Sequence, residues 1–175
     1  MIFVTVGTHE QPFNRLLLEV DRLIETEKIK EEVYMQTGFS TYIPKFCAFS
    51  PLIPFAKFME MINKARIIIT HGGPGSIMPV LYQNKVPIVV PRQKKFREHV
   101  DDHQVTFCRH LEYKGRILAV YEIEELEQKI INYDSLITKM KSTLYYPEKE
   151  QYLASIINNL EKHINKLFFQ KFSSL

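Results

Sequence analysis

The sequence predicts an α/β domain, a parallel sheet covered by helices on both faces. Two observations carry this. Short runs rich in β-branched residues (Ile2–Val6, Ile67–Thr70, Val86–Val90) alternate with longer stretches whose apolar residues recur at helical spacing. These runs are also almost continuously apolar, which suits strands buried on both faces, the condition of a parallel sheet. Such alternation closes into a doubly covered sheet because each crossover packs a helix back onto it.

Each element follows from local chemistry. Ile2–Val6 is stopped by Gly7, and Pro12 stands where a helix can start. Phe13, Leu16, Leu17, Val20, Leu23 and Ile24 give the apolar face of that helix, through about residue 28. A second strand is expected at Val33–Thr37, ended by Gly38. Residues 39–54 hold three prolines and little periodicity, so they read as a loop with a short strand near Phe46–Phe49. Phe55, Phe58, Met59 and Ile62 form one helical face. Ile67–Thr70 is a buried strand running into His71-Gly72-Gly73-Pro74-Gly75-Ser76, followed by a helix over roughly 75–84 and the strand Val86–Val90. A helix from near Glu98, a last strand at Ile117–Val120 and a helix carrying Ile123, Leu126 and Ile130 complete the domain, which should span residues 1–145. Tyr145-Tyr146-Pro147 breaks the pattern. Residues 146–175 then form a C-terminal amphipathic helix, from about Glu148 to Phe169, with one apolar stripe from Leu153 to Phe168.

Composition excludes several classes. The chain has 175 residues with 45% apolar and 25% charged, which fits a folded domain with a sizeable core. A net charge of +3 is too mild to argue for nucleic acid. Cys47 and Cys108 share no motif spacing, which speaks against a disulfide scaffold or zinc ribbon and for a reducing compartment. The N-terminus lacks a basic segment and a cleavage site, and no stretch approaches ~18 continuous apolar residues. Any membrane role is therefore expected to run through a partner or a surface helix.

Three segments can carry chemistry. In His71–Ser76, glycines let a ligand approach the backbone, and the start of the next helix offers free N–H groups and the positive end of its dipole. Ser76 and His71 add side-chain donors, so the segment reads as a phosphate cradle rather than a plain capped turn. It is neither a P-loop nor a dinucleotide fingerprint, because it lacks Gly-Lys-Ser/Thr and the G-x-G-x-x-G spacing. Gly7-Thr8-His9-Glu10-Gln11 follows the first strand at the same sheet edge. Gly7 and Thr8 can face a diphosphate, and His9 and Glu10 can move protons, or Glu10 and Gln11 can simply cap a helix. Glu98-His99-Val100-Asp101-Asp102-His103-Gln104 would place His99 and His103 four apart on a helix face. Metal ligation is conceivable there, but a hydroxyl-rich ligand suits Asp and Gln better, and a solvated helix is the plain alternative. The basic run Arg92–Arg97 reads as a solvated loop or a contact for anionic lipid or diphosphate.

In combination and order, Ile2–Phe13, Thr70–Ser76 and His99–Gln104 resemble the C-terminal half of GT-B glycosyltransferases of the family 28 type. Within it they are most similar to the short catalytic subunits of bacterial two-component polysaccharide transferases and to the catalytic subunit of the dolichol-diphosphate GlcNAc transferase. The resemblance covers about residues 1–130. It implies a Rossmann-like domain in which His71, Gly72, Gly73, Gly75 and Ser76 hold the diphosphate of a UDP-sugar. It also implies that Gly7, Thr8 and His9 face the reaction centre, that Asp101, His103 and Gln104 meet the sugar hydroxyls, and that the loop between Phe39 and Phe55 borders the uracil. One departure is that the glutamate that many relatives use for ribose is missing at Pro79 or Val80, with Glu98 as the candidate substitute.

What the resemblance implies chemically is inverting transfer of a hexose or related sugar to a lipid-diphosphate-linked saccharide, in capsular or exopolysaccharide synthesis. His9 is then the first candidate base and Glu10 the second, with no metal and no cofactor beyond the UDP-sugar donor. The chain supplies one GT-B half, so a membrane-anchored acceptor-binding subunit is the expected partner, contacted through the apolar stripe of the helix in residues 146–175 rather than that stripe packing on its own domain, and holding the chain peripherally at the inner face of the cell membrane. Two rivals are a nucleotide-binding regulatory subunit without catalysis and an enzyme of the UDP-sugar epimerase kind, active alone.

Overall fold

A computed structural model of the protein describes residues 1–143. The expected C-terminal amphipathic helix and the boundary at residue 145 lie outside the described residues. The compact unit spans Met1–Lys139. Among the described residues no helix is long and apolar enough to cross a membrane.

Six strands run in chain order: β1 (Ile2–Thr5), β2 (Val33–Gln36), β3 (Ala48–Ser50), β4 (Ile67–His71), β5 (Ile88–Val90) and β6 (Leu118–Ala119). They form one sheet in the order β3-β2-β1-β4-β5-β6, with every pair parallel. Ile2 stands opposite Val33 on one side and Ile67 on the other. Every residue of β1, β4 and β5 is buried, as their apolar runs require.

The helices are α1 (Asn14–Glu25), α2 (Phe55–Lys64), α3 (Pro74–Tyr82), α4 (His103–Tyr113), α5 (Leu126–Ile131) and α6 (Tyr133–Thr143). Phe3 and Ile68 pack against Phe58, Met61 and Ile62 of α2, with Phe3 and Phe58 in edge-to-face contact at 5.7 Å. Val89 and Ala119 pack against Cys108 and Leu111 of α4. Both cysteines are free, and burial pushes both thiols up, Cys47 to about 11 and Cys108 to about 12.

Three expectations are corrected. Pro12 does not open α1, which starts at Asn14, because the Gln11 carbonyl accepts from Arg92 and the Phe13 N–H donates to Ser40 Oγ. The helix expected from Glu98 starts only at His103, so His99 and His103 do not share a helix face. Residues 98–102 are held open by tertiary bonds to Glu98 and by Asp101, whose Oδ1 accepts the His103 N–H at 3.1 Å. The helix around Ile123–Ile130 begins as a 3₁₀ turn over Ile123–Glu125 before α5.

The unperiodic loop after β2 is fixed by two polar residues of α1. Asn14 Oδ1 accepts the N–H groups of Thr41 and Tyr42, both at 3.0 Å. The buried Asp21 carboxylate accepts from Tyr42 Oη at 2.6 Å, Lys45 N at 2.9 Å and Phe46 N at 3.1 Å. Asp21→Ala strands these donors, and we expect it to lower unfolding free energy by about 2–4 kcal/mol, read from the urea midpoint. A loss below about 0.5 kcal/mol would show that the loop holds itself.

Candidate functional site

The strand order reverses direction between β1 and β4, so the loops leaving these two strands diverge and open a crevice beyond their carboxyl ends. A cavity of about 570 Å³ occupies this crevice. Its polar lining comes from Thr5, Thr8, His9, Gln36, Ser76 and Gln104, and its apolar side from Ile53, Phe55 and Phe58. Gly7, His71 and Gly75 complete it.

Arg92 builds the wall behind the cavity. Its side chain is 0% exposed, which corrects the reading of the whole 92–97 run as a solvated or lipid-facing patch. The guanidinium donates to the carbonyls of Gln11 at 2.6 Å, Val6 at 2.9 Å and Glu98 at 3.1 Å, and lies 4.9 Å from the Phe13 ring centroid. Burial pulls its pKa down to about 10, partly offset by Glu98, so it is charged at neutral pH. Beside it, Arg15 grips both Glu98 oxygens, at 2.8 and 3.0 Å, while the Gln93 N–H donates to one of them. Glu98 is buried in this network and outside the cavity lining, so it is not placed to replace a ribose-binding glutamate.

His71 is the pivot of the second loop. The Gly73 N–H donates to its Nδ1 at 3.0 Å, so the ring proton sits on Nε2 and is donated to Ser76 Oγ, also 3.0 Å away. Burial, reinforced by the Arg92 charge, lowers the His71 pKa to about 4 and keeps the ring neutral. Because Ser76 Oγ accepts from His71, its own hydroxyl proton is free for a ligand in the cavity that it lines.

This geometry changes the meaning of the glycines. A Cβ on Gly7, at φ +74°, would meet His71 Nε2, and one on Gly73 would meet His71 Cε1 at 2.1 Å. One on Gly72 would meet Gln104 Cβ at 2.9 Å. These three glycines make room for side chains of the protein itself. Only at Gly75, in the first turn of α3, would a Cβ meet nothing within 4 Å. The backbone donors of that turn are also fewer than the sequence suggests. The Gly73 N–H serves His71, Pro74 has none, and the Ser76 N–H bonds to Gly73 O at 3.1 Å. Among the described residues, this leaves the Gly75 N–H as the uncommitted backbone donor of residues 73–76.

The sequence-derived site is thus divided. Gly7, Thr8, His9, His71, Gly75, Ser76 and Gln104 line the cavity. Gly72 and Gly73 stand behind it. Glu10, Asp101 and His103 are exposed and outside the lining. Gln104 is buried and accepts the Arg92 N–H at 3.2 Å. Thr5 and Gln36 escaped the sequence reading because they lie inside strands. Thr5 Oγ1 donates to Gln36 Oε1 at 3.0 Å and accepts from Gly7 N at 3.2 Å, which ties the two strand ends to the first loop.

Two experiments check this construction. Gly73→Ala displaces the His71 ring and is expected to cost more than about 2 kcal/mol. Gly75→Ala has room, and its helical alanine should leave thermal stability unchanged or up to about 1 kcal/mol higher. Equal losses in both would contradict the assignment of space. The second concerns pH. Below about 6.5 the unfolded His71 takes up a proton that the folded ring refuses until about 4. Stability should therefore fall as pH drops through this window, by up to about 3 kcal/mol from this group, and His71→Asn should remove that part of the dependence.

Comparison with known proteins agrees with the fold. The model of the glycosyltransferase family 28 C-terminal domain matches residues 1–163. The UDP-N-acetylglucosamine transferase subunit ALG13 of Candida albicans is 31% identical over 120 residues, covering 69% of this chain and 35% of that protein. The human subunit of the same name is 29% identical over 125 residues, covering 66% of this chain and 10% of that protein. The chain thus matches about a third, and about a tenth, of the length of these curated relatives. Among solved structures, Acinetobacter baumannii MurG superposes with a TM-score of 0.55 at 18% identity, over 89% of this chain and 49% of that one. The glycotransferase of kitacinnamycin gives 0.57 at 13%, over 81% and 37%. At these identities the structural likeness is one of fold. The match over 163 residues, on a six-stranded parallel sheet in this order, places the chain in the glycosyltransferase family 28 C-terminal domain family.

Proposed function

We propose that the chain is the UDP-sugar-binding subunit of an inverting glycosyltransferase. It transfers a sugar to a lipid-diphosphate-linked saccharide, in capsular or exopolysaccharide synthesis, together with a membrane-anchored subunit that binds the acceptor. The observation that carries this reading is the open first turn of α3. Gly75 leaves space for a ligand, its N–H is uncommitted, and Ser76 offers a hydroxyl proton already oriented by His71. These are donors for the diphosphate, and the α3 dipole adds to them.

In the reaction the acceptor hydroxyl oxygen attacks C1 of the sugar while the bond from C1 to the diphosphate oxygen breaks. The electron pair stays on that oxygen, where the Gly75 N–H and Ser76 Oγ–H meet the growing charge, each such donor typically worth ~3–4 kcal/mol. The acceptor proton goes to His9, which lines the cavity, in preference to Glu10, which does not. In the resting ring His9 Nδ1 accepts the Gln11 N–H at 3.2 Å, the long end of the normal range. Releasing that bond frees the lone pair for the proton. Gln104 reaches the cavity from the start of α4 and suits a sugar hydroxyl, since its amide both donates and accepts.

A partner is supported by the surface beside the cavity. Half of the twelve exposed large apolar side chains of the described residues fall between Phe39 and Phe55, and Phe55 itself lines the cavity. A partner that covers them also excludes water from the reacting centre.

Calorimetry with UDP and ADP, then a UDP-sugar screen on membranes co-expressing the partner, tests this reading. UDP should bind at least tenfold more tightly than ADP. Ser76→Ala and His71→Ala should each weaken UDP about tenfold, and His9→Ala should abolish transfer while sparing UDP binding. Normal transfer by His9→Ala would remove His9 as the base. UDP binding without transfer, partner present, would make the chain a regulatory subunit.

A further inference from the structure

The turn between Glu98 and His103 gathers ligand atoms at one point. His99, Asp101 and His103 each offer one ligand atom, and the three atoms lie within 4.8 Å of one another. Asp101 Oδ1 is 3.3 Å from His99 Nδ1 and 2.5 Å from His103 Nδ1. Ligand atoms about 2.05 Å from one tetrahedral ion stand about 3.3 Å apart, so small shifts would seat all three on one cation. A third imidazole closes the cluster, because the His9 and His99 ring centroids are 4.5 Å apart, as are those of His99 and His103.

The turn is held at both ends before any ion arrives. Arg92 donates to Glu98 O at 3.1 Å, and Asp102 Oδ1 accepts the Lys94 N–H at 2.8 Å. The contacts inside the cluster are ones a cation replaces readily. Asp101 N–H reaches His99 Nδ1 only at 3.4 Å, and a cation between His103 Nδ1 and Asp101 Oδ1 takes the place of the hydrogen bond there. Fixed ends lower the ordering cost of ligation.

We infer that His99, Asp101 and His103 form a binding site for a divalent transition cation of the zinc class at the rim of the cavity. Two imidazole nitrogens and one carboxylate oxygen are the donor set of zinc-type sites that keep a position open, and they suit magnesium or calcium poorly. The neighbours of the ligands, His9 and Gln104, both line the cavity, so the open position lies next to it. The oxygen of a phosphate or of a sugar hydroxyl is the ligand class it takes. This inference does not depend on the transfer reaction proposed above.

Untagged full-length protein, stripped with a chelator, is titrated with Co²⁺ at neutral pH and followed by visible absorption. One equivalent should give a saturable ligand-field spectrum, which Zn²⁺ abolishes and excess Mg²⁺ does not. Asp101→Asn and His103→Ala, both at exposed positions, should weaken Co²⁺ at least tenfold, while His110→Ala, at the far end of α4, should match the unsubstituted protein. Absence of a saturable spectrum, an affinity in the two ligand variants unchanged from the unsubstituted protein, or the same loss in His110→Ala would overturn the site.

Discussion

The cavity depends on a single buried guanidinium. Arg92 leaves β5 and donates to carbonyls of the loop after β1 and of the turn before α4, two segments more than 80 residues apart in sequence. A charge without solvent contact is stabilised only where acceptors surround it, and three carbonyls and the Phe13 ring do so here. Its Nε has no partner among the described residues, so the bonding is incomplete. The same charge disfavours protonation of His71. Arg92 therefore sets both the shape of the cavity wall and the charge state of the ring beneath it.

From this follows the division of labour between the two loops after β1 and β4. His71 fills the space that Gly7 and Gly73 leave, and spends both ring nitrogens on Gly73 and Ser76. It is a positioning residue whose output is the direction of the Ser76 hydroxyl. The polar groups left for a ligand include one backbone N–H, the Ser76 and Thr8 hydroxyls, the amides of Gln104 and Gln36 and the His9 ring. A preorganised set of this kind needs no rearrangement when charge develops on a departing oxygen.

Much of the fold was legible because parallel strands buried on both faces leave a plain signature. Ile2–Val6 and Ile67–Thr70 are apolar at nearly every position, and the structure confirms both, with β4 extended to His71. The parallel sheet with helices on both faces followed from the alternation of elements and the family resemblance. Less legible was everything decided by tertiary bonds. Nothing local in Arg92-Gln93-Lys94-Lys95-Phe96-Arg97 marks the first residue as buried and the next basic ones as exposed. The spacing of Glu98–Gln104 fits a helix, yet the Arg15–Glu98 pair holds its first half open. The spacing of Asn14 and Asp21, seven apart on α1, was the available sign that the helix pins the following loop, since it puts both on one face. The number of glycines is visible in sequence, but the His71 ring that fills the space at Gly7 and Gly73 is not.

The central claim is that the first turn of α3 receives the pyrophosphate group of a uridine nucleotide. A crystal structure of the protein grown with that nucleotide tests it most directly. The account requires a phosphate oxygen within hydrogen-bond distance of both Gly75 N and Ser76 Oγ, with His71 unmoved. A nucleotide bound elsewhere, or one whose phosphates leave that turn empty, would contradict it.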